Sequence, residues 1–353
     1  MLVTGASGFV GTHVVERLVA QGVPLRVLLR DRELPELPGV EVVRGDLTKP
    51  ETLHGLCEGT GVLLHLAARI GGSEEDCRAV NETGTRVLLA EAERAGVRRI
   101  VQLGTAAVYR DGAHRGAAEG ELAEEPGSVT SATRLAGERL VLAAGGTVVR
   151  PHLVYGRGDR WVVPELVRML TLLPRWVEGG RARMSMISVD ALAGALSELA
   201  LRADGTGGGT TRTAGTGTTA TTATTTARTA TTGNVLHAAH PEPVTARELV
   251  ETIAGALGLP LPEGDTDLAG ALELVGAAPA VGEGKHLPDS TTQATQATRA
   301  ARLRRLLSLL TVDHWYDSTT LWAELQGGPG PGPRFAEAFG AYAPWYREQR
   351  EQR

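Results

Sequence analysis

The chain has little that would cross-link it, anchor it or draw it to a polyanion. Of its 353 residues only Cys57 and Cys77 are cysteines. They lie in unrelated contexts, so neither a disulfide framework nor a zinc site is built from them, and reduced thiols in a cytoplasmic protein are the expectation. No apolar run reaches the ~20 residues of a transmembrane helix. Met1 leads straight into a strand, without a charged-then-apolar leader. A formal net charge of −5 is spread along the chain without a basic stripe, which argues against nucleic acid as the main partner. No membrane and no nucleic acid are therefore expected, and small soluble ligands are. The abrupt start leaves the first strand very short, so a few residues upstream of Met1 are expected to have been lost or misassigned.

What is present is a regular alternation. Apolar runs MLVT, PLRVLLR, VEVVRGD, VLLHLAA, RRIVQLG and GTVVRP are separated by helical patterns, among them one from about Gly8 to Ala20 and one from about Asn81 to Ala95. Such lengths imply right-handed βαβ units and an α/β, Rossmann-type, doubly wound parallel sheet. The chain is long enough for this domain, residues 1–150, and a smaller lobe, residues 151–353, interleaved with it. That lobe is expected to hold helices at Trp161–Leu173, Val189–Leu201 and Thr245–Leu257 and a strand at Val235–Ala239. A Thr, Gly and Ala tract at 203–233 offers no apolar periodicity to bury, and reads as a surface excursion without a catalytic role. Residues 282–298 form a second loose region, Ala300–Leu310 an amphipathic candidate lid, and GGPGPGP at 327–333 a turn before a closing helix.

The chemistry begins at LVTGASGFVG, residues 2–11. Gly5, Gly8 and Gly11 stand between strand and helix, where the backbone must turn tightly, approach a pyrophosphate and pack helix on sheet, while the helix N-terminus faces the phosphates with free amides. Ser7, Phe9 and Val10 complete that loop. The second strand ends in Leu29-Arg30-Asp31, where such folds meet the adenosine ribose. An arginine there pairs with a 2′-phosphate and an acidic residue with a 2′-hydroxyl, and Arg30 favours NADP(H). Asp46 is placed for the adenine edge, or alternatively as the N-cap of the TKPETL segment.

TGASGFVG, GDLTKPETL, LLHLAA at 63–68, VNETGT at 80–85, RPHLVYGRGDR at 150–160 and ISVDALA at 187–193 follow one another as in the extended short-chain dehydrogenase/reductases, the NAD-dependent epimerase/dehydratase family, which the chain resembles over most of its length. LTVDHWYDSTT and APWYREQR resemble the family's C-terminal segment. The resemblance implies a nicotinamide cofactor held by the Gly-rich loop, by Asp46 and Leu47, by Leu66, Ala67 and Ala68, and by Pro151. It also implies a catalytic set of Ser or Thr, Tyr, and a Lys four residues after the Tyr, the Tyr handling the proton and the Lys lowering its pKa while holding the ribose.

Here the chain departs from the pattern it resembles. LGTAAVY puts Thr105 in the Ser/Thr place, with a hydroxyl for a substrate oxygen; the alternative is a strand-end threonine serving local backbone. In SVTSATRLAGERL the register puts Thr130 where the Tyr belongs and Arg134 where the Lys belongs. Arginine keeps the charge and can grip ribose hydroxyls but does not release a proton near neutrality, and threonine is a very poor acid. Substitute acids are Tyr109, His114, His152 and Tyr155. Of these His152, at the end of a strand near the nicotinamide, is the candidate proton donor, and the two tyrosines read as structural. Leu153 stands where sugar-nucleotide members carry an Asn that holds substrate phosphates. Trp161, Met169, Leu172, Leu173, Trp176, Met184 and Met186 read as the wall for a flat apolar ligand.

The reading that results is an NADPH-dependent reductase of a bulky, aromatic, polyketide-type ketone in secondary metabolism, with substrate- or solvent-assisted proton transfer. It is similar in kind to ketoreductases of angucyclinone antibiotic pathways that lack the triad. A nucleotide-sugar epimerase or dehydratase, and a catalytically inactive NADP-binding scaffold or sensor, are the alternatives. No metal is expected. By analogy with relatives, a homodimer would form through the helices starting near Asn81 and Thr130.

Overall fold

The computed structural model describes residues 1–202, 233–277, 307–328 and 330–352. The tract at 203–232, the loose region at 282–298 and the first residues of the candidate lid, 300–306, lie outside them. Seven parallel strands form the central sheet: β1 (Leu2–Thr4), β2 (Leu25–Leu29), β3 (Val40–Arg44), β4 (Val62–His65), β5 (Arg99–Leu103), β6 (Thr147–Pro151) and β7 (Asn234–Ala238). Their order is β7-β6-β5-β4-β1-β2-β3. The chain builds outward from β1 to β3, returns across to β4 and builds the other way. The crevice where the winding reverses, beyond the C-terminal ends of β1 and β4, is where such sheets bind ligands. Apolar runs make this possible: Leu2 and Val3 are fully buried with Leu63 and Leu64 of the neighbouring strand, as a sheet covered on both faces requires.

Helix α1 (Phe9–Ala20) follows β1 and buries Val10, Val14, Val15 and Leu18 against the sheet and the Val189–Leu201 helix. The helix expected from Asn81 is composite. A short Glu74–Arg78 helix with a Ser73/Asp76 capping box runs into a wide π-helical stretch, Ala79–Gly84, and then the Thr85–Arg94 helix. Gly137, on the Val129–Ala143 helix, explains the close approach at this bulge: a Cβ there would lie 2.1 Å from the Asn81 carbonyl oxygen.

The two parts of the chain exchange strands. β7 comes from beyond residue 150 and joins the central sheet. His114–Ala117, from before it, joins a four-stranded sheet ordered Val244–Thr245, Arg183–Met184, His314–Tyr316, His114–Ala117. The closing helix, Phe335–Glu351, packs Phe335, Phe339 and Tyr346 into a second core with Leu249 and Ile253. Most of the expected ligand wall belongs to these cores. Met169, Leu173, Met184 and Met186 are at most 3% exposed: the two strand residues Met184 and Met186 point into the second core, and Met169 and Leu173 into a smaller apolar cluster with Val177, Ala271 and Leu307. Trp161 is exposed, and Trp176 lies under the Arg247 guanidinium, 4.0 Å from it. In the candidate lid, Leu307 and Leu310 are buried.

Candidate functional site

The Gly-rich loop is shaped for a close visitor. Gly5 has φ +73°, and a Cβ there would stand 2.6 Å from the Ala67 amide nitrogen and the Leu66 carbonyl carbon. A Cβ on Gly11 would meet the Gly5 carbonyl oxygen at 2.0 Å, which lets α1 begin directly against the turn. The Gly8 amide donates to the Gly5 carbonyl at 2.9 Å. The N-cap is Gly8, so no side chain caps α1, and its first turn carries no acidic residue. Its leading amides and dipole are left for an anion. Phe9 is edge-on to His13 at 6.3 Å and lies against Gly158, while Val10 is core. These residues fit a dinucleotide pyrophosphate.

On the adenosine side, Arg30 is exposed and its Nε donates to Asp31 at 2.6 Å. The sequence reading missed Arg32, whose Nη1 donates to the Ser7 carbonyl at 3.2 Å, and Arg44, whose Nη1 donates to the Arg32 carbonyl at 2.8 Å. Arg32 stands two residues after Arg30 in LLRDRE, so the cluster was available to a wider search of the strand end. Asp46 does not cap the TKPETL turn, whose N-cap is Lys49. It forms an Asx turn instead, accepting from the amide and hydroxyl of Thr48, both at 2.9 Å. Burial alone would raise its pKa, but the Thr48 bonds and the nearby Arg30 and Lys49 charges leave it below the ordinary value. Leu47 is buried against Gly84. Leu66 and Ala67 carry β4 past Thr4, with amide bonds to the Thr4 carbonyl and hydroxyl, and Ala68 is exposed beyond them.

At the nicotinamide side, β5 and β6 run parallel with Leu103 opposite Val149. Thr105 and the Pro151-His152 pair therefore leave neighbouring strand ends. The Thr105 hydroxyl accepts from the Ala107 amide at 3.2 Å, and its own amide donates to Glu138 Oε1 at 3.1 Å. Its lone pair is used locally, and its proton is free to point elsewhere. Arg134 Nη2 donates to the Leu103 and Gly104 carbonyls at 3.0 and 2.7 Å, which brings the guanidinium to the same edge. Burial lowers its pKa and Glu138 counters this, but a guanidinium remains charged. Thr130 accepts from the Gly71 amide at 3.2 Å, with Cys77 Sγ 3.9 Å away. One turn after Arg134, Glu138 is buried and paired with the buried Arg150 at 2.8 Å, and Arg150 also reaches Glu124 at 2.6 Å. Burial raises the Glu138 pKa against the pull of Arg150 and Arg134.

Three of the four substitute acids meet in one cluster of rings, joined by His237, His314 and Tyr316. Tyr109 stacks on Tyr316 at 5.8 Å and His152 on His314 at 5.5 Å, while His114 meets both His314 and Tyr316 at 5.5 Å. Tyr155 is elsewhere, edge-on to Phe335 and Tyr342 in the second core. Hydrogen-bond chemistry fixes most of the cluster's protons. A carbonyl oxygen only accepts, so His237 holds a proton on Nδ1 for the Asp317 carbonyl and His114 one on Nε2 for the Arg110 carbonyl. Burial lowers the pKa of both rings and keeps them neutral near pH 7. Their remaining nitrogens then accept, His237 Nε2 from Tyr109 Oη at 2.6 Å and His114 Nδ1 from Tyr316 Oη at 2.8 Å. Both phenol protons are thus held in buried hydrogen bonds. Separate long-range pairing of the HWY strand created this cluster, and no local pattern signals it.

Among the described residues no group of His, Cys, Asp and Glu could hold a metal ion, and no helix is long and apolar enough to cross a membrane. A 4-hydroxy-2-methyl-3-oxo-4-farnesyl-3,4-dihydroquinoline-1-oxide ketoreductase of Stigmatella aurantiaca is 34% identical over 192 residues, 51% of this chain and 58% of that one. A ceramide reductase of Caulobacter vibrioides is 34% identical over 201 residues, 53% and 56% of the two chains. The chain spans about half the length of the curated relatives it matches. Among solved structures, DesIV, a dTDP-glucose 4,6-dehydratase of Streptomyces venezuelae with NAD and TYD bound, superposes with TM-score 0.67 at 19% identity over 99% of this chain and 98% of its own. That likeness concerns the fold. The family model for the NAD dependent epimerase/dehydratase family matches residues 1–210, and with it the Gly-rich cradle, the switch-point crevice and the Thr105 strand end: the chain belongs to that family.

Proposed function

We propose that the chain is an NADPH-dependent ketoreductase of a bulky, aromatic, polyketide-type ketone, working in the cytoplasm in secondary metabolism. The observation that carries this reading is an intact dinucleotide cradle beside a proton-handling position held by Thr130, whose hydroxyl accepts from the Gly71 amide. A reduced dinucleotide in such a cradle supplies a hydride, and alignment with a carbonyl can lower the barrier by roughly 7–11 kcal/mol. Reduction of an activated ketone needs one weak proton delivery. Oxidation of a sugar hydroxyl needs a competent base. With Thr130 in that place, the proton comes from the substrate's own hydroxyl, from solvent or from a neighbouring ring, while Thr105 donates to the carbonyl oxygen and Arg134 braces the strand ends. Arg30, Arg32 and Arg44 support NADPH over NADH. Relatives named as ketoreductase and reductase support the reaction class.

A nucleotide-sugar epimerase or dehydratase is the second reading, supported by the family as a whole. Leu153, buried at 8% exposure in the second core, offers no polar group to substrate phosphates and counts against it. An inactive NADP-binding scaffold is the third. A homodimer through the Glu74–Arg94 segment and the Val129–Ala143 helix, which flank an open groove of about 360 Å³, belongs to the same proposal. Titration with NADPH and NADH, followed by cofactor oxidation with aromatic ketones, tests the reading. NADPH preference with turnover supports it. Tight binding with no turnover on any ketone supports the scaffold.

A further inference from the structure

We infer that His13 is a positioning residue of the dinucleotide cradle: with a proton on each ring nitrogen it clasps the 156–159 turn onto the helix that faces the pyrophosphate, and dinucleotide affinity falls when the ring gives one of them up. The inference rests on the reading of Gly5, Gly8 and Gly11 as a cofactor cradle and names a side chain that holds it in shape. His13 stands one turn beyond Phe9, the first residue of α1. Its Nε2 meets the Arg157 carbonyl oxygen at 2.8 Å, and its Nδ1 meets Asp190 Oδ1 at 2.6 Å. The turn held in this way covers the cradle. A Cβ on Gly158 would stand 3.0 Å from Phe9 Cδ2, so the bare Gly158 backbone rests on that ring.

A carbonyl oxygen only accepts, so His13 Nε2 carries a proton for Arg157. Asp190 is exposed and lies in the first turn of the Val189–Leu201 helix, where the helix dipole favours a charged carboxylate. Its bond with His13, and a second from Tyr342, hold its pKa below the ordinary value. An ionised carboxylate also only accepts, so His13 Nδ1 carries the second proton. The ring is 7% exposed. Removing either proton would therefore set a bare nitrogen against an oxygen where little water can intervene.

The clasp reaches the closing helix. Tyr342 Oη donates to Asp190 Oδ2 at 2.6 Å, and the Gly156 amide donates to Tyr346 Oη at 2.9 Å, so the turn is held from both sides. The charged and titratable groups around the ring are Glu16 and Arg17 on its own helix, Arg157 and Asp159 in the turn, Asp190, and Tyr342 and Tyr346 on the closing helix. Arg157 Nη2 pairs with Glu16 at 2.5 Å, and Asp159 accepts from the amides of Trp161, Val162 and Val163. Asp190 is thus the charge that meets Nδ1. Both His13 bonds are made while the ring is doubly protonated. As pH rises and one proton passes to water, one bond is lost and the turn loosens. Phe9 then loses its cover, and the leading amides of α1 lose the order that presents them to a pyrophosphate.

The test titrates NADPH into the parent, His13→Gln and Asp190→Asn from about pH 6 to about pH 9, a range that brackets imidazole ionisation, with thermal unfolding alongside. In the parent, Kd rises by roughly threefold to tenfold across the range, the worth of one hydrogen bond of ordinary net strength. The 2′-phosphate of NADPH titrates as well and adds the same slope to every protein, so the reading is the difference between parent and variant. His13→Gln makes one of the two bonds at any pH, binds with the parent's alkaline Kd and lacks the added slope. Asp190→Asn keeps the shape of the side chain and, without the charge that holds the second proton, behaves as His13→Gln does. Equal Kd values and equal slopes in the parent and a folded His13→Gln would overturn the clasp and leave the cradle standing. If His13→Gln does not fold, an Asp190→Asn protein that matches the parent overturns it in the same way. A parent that binds no dinucleotide at any pH would overturn the cradle reading, and the clasp with it.

Discussion

Replacing Gly11 with Ala tests the cradle at its tightest point. The new Cβ would lie 2.0 Å from the Gly5 carbonyl oxygen and 3.0 Å from the Ala6 Cα. Both neighbours are backbone, so the turn or α1 must retreat by roughly an ångström, and overpacking of this kind costs about 1–3 kcal/mol. The unfolding midpoint should drop by about 2 °C for each kcal/mol. The loss in binding is larger relative to its baseline. Two charge-assisted amide bonds to a pyrophosphate, at about 1.5 kcal/mol each, amount to about a hundredfold in Kd. Gly255→Ala is the control. It lies within the Ala246–Leu257 helix with nothing inside 4 Å of its Cβ position, and it should stabilise by about 0.5–1 kcal/mol. Fluorescence titration with NADPH and thermal unfolding read both variants. A Gly11→Ala protein that binds within twofold of the parent would refute the assignment of this loop to the pyrophosphate.

Three further outcomes follow from named contacts. His65, buried between the Thr4 and Thr85 hydroxyls at 2.7 and 3.0 Å, has its pKa lowered by burial and then by Arg134 to about 4. The unfolded chain binds the extra proton between about pH 6.5 and 4, so stability falls with pH across that window, by roughly 2 kcal/mol from pH 7 to pH 5. Denaturant unfolding at the two pH values should show this drop shrinking in His65→Asn, and an unchanged drop would contradict it. Thr130→Val removes an acceptor from the Gly71 amide and should cost about 1 kcal/mol of stability while changing turnover less than twofold. A hundredfold loss would make Thr130 a catalytic residue. Thr105→Val should lower kcat about tenfold to a hundredfold at constant NADPH Kd, the scale of one lost donor to the oxyanion being somewhat larger in the best-organised sites, and an unaffected kcat would reduce Thr105 to a cap of the 106–108 turn.

The parts of the molecule that were legible are those written in local periodicity. The runs of Leu and Val in β1 to β6 are wholly or largely buried except at the β3 edge, and the Gly spacing at 5, 8 and 11 reports a steric demand that the coordinates bear out at each position. The Val189–Leu201 helix falls where its pattern put it. The apolar side chains Met169, Met184 and Met186 were misread, because an apolar pattern reads the same for a core and for a ligand wall: the second core claimed Met184 and Met186, and a smaller cluster with Leu173, Val177 and Leu307 claimed Met169. The π-helical stretch at 79–84 arises from the approach of Gly137 to Asn81, a contact between distant segments. The ring cluster has the same origin. His114, His152, His237 and Tyr316 come from four segments, and two long-range pairings, of 314–316 with 114–117 and of β7 with β6, bring them together. Arg32 was within reach of the sequence, two residues beyond the arginine already chosen.

The central claim is that the cradle holds NADPH and that a ketone takes its hydride. Titration of the parent and of an Arg30→Ser, Arg32→Ser double variant with NADPH and NADH, followed by oxidation of the bound cofactor by 1-acetyl-2-naphthol, tests it directly. The account predicts tighter NADPH than NADH binding in the parent, a preference lost in the variant, and stoichiometric cofactor oxidation coupled to alcohol formation. Failure to bind either dinucleotide, or binding without oxidation by any aromatic ketone, would contradict it.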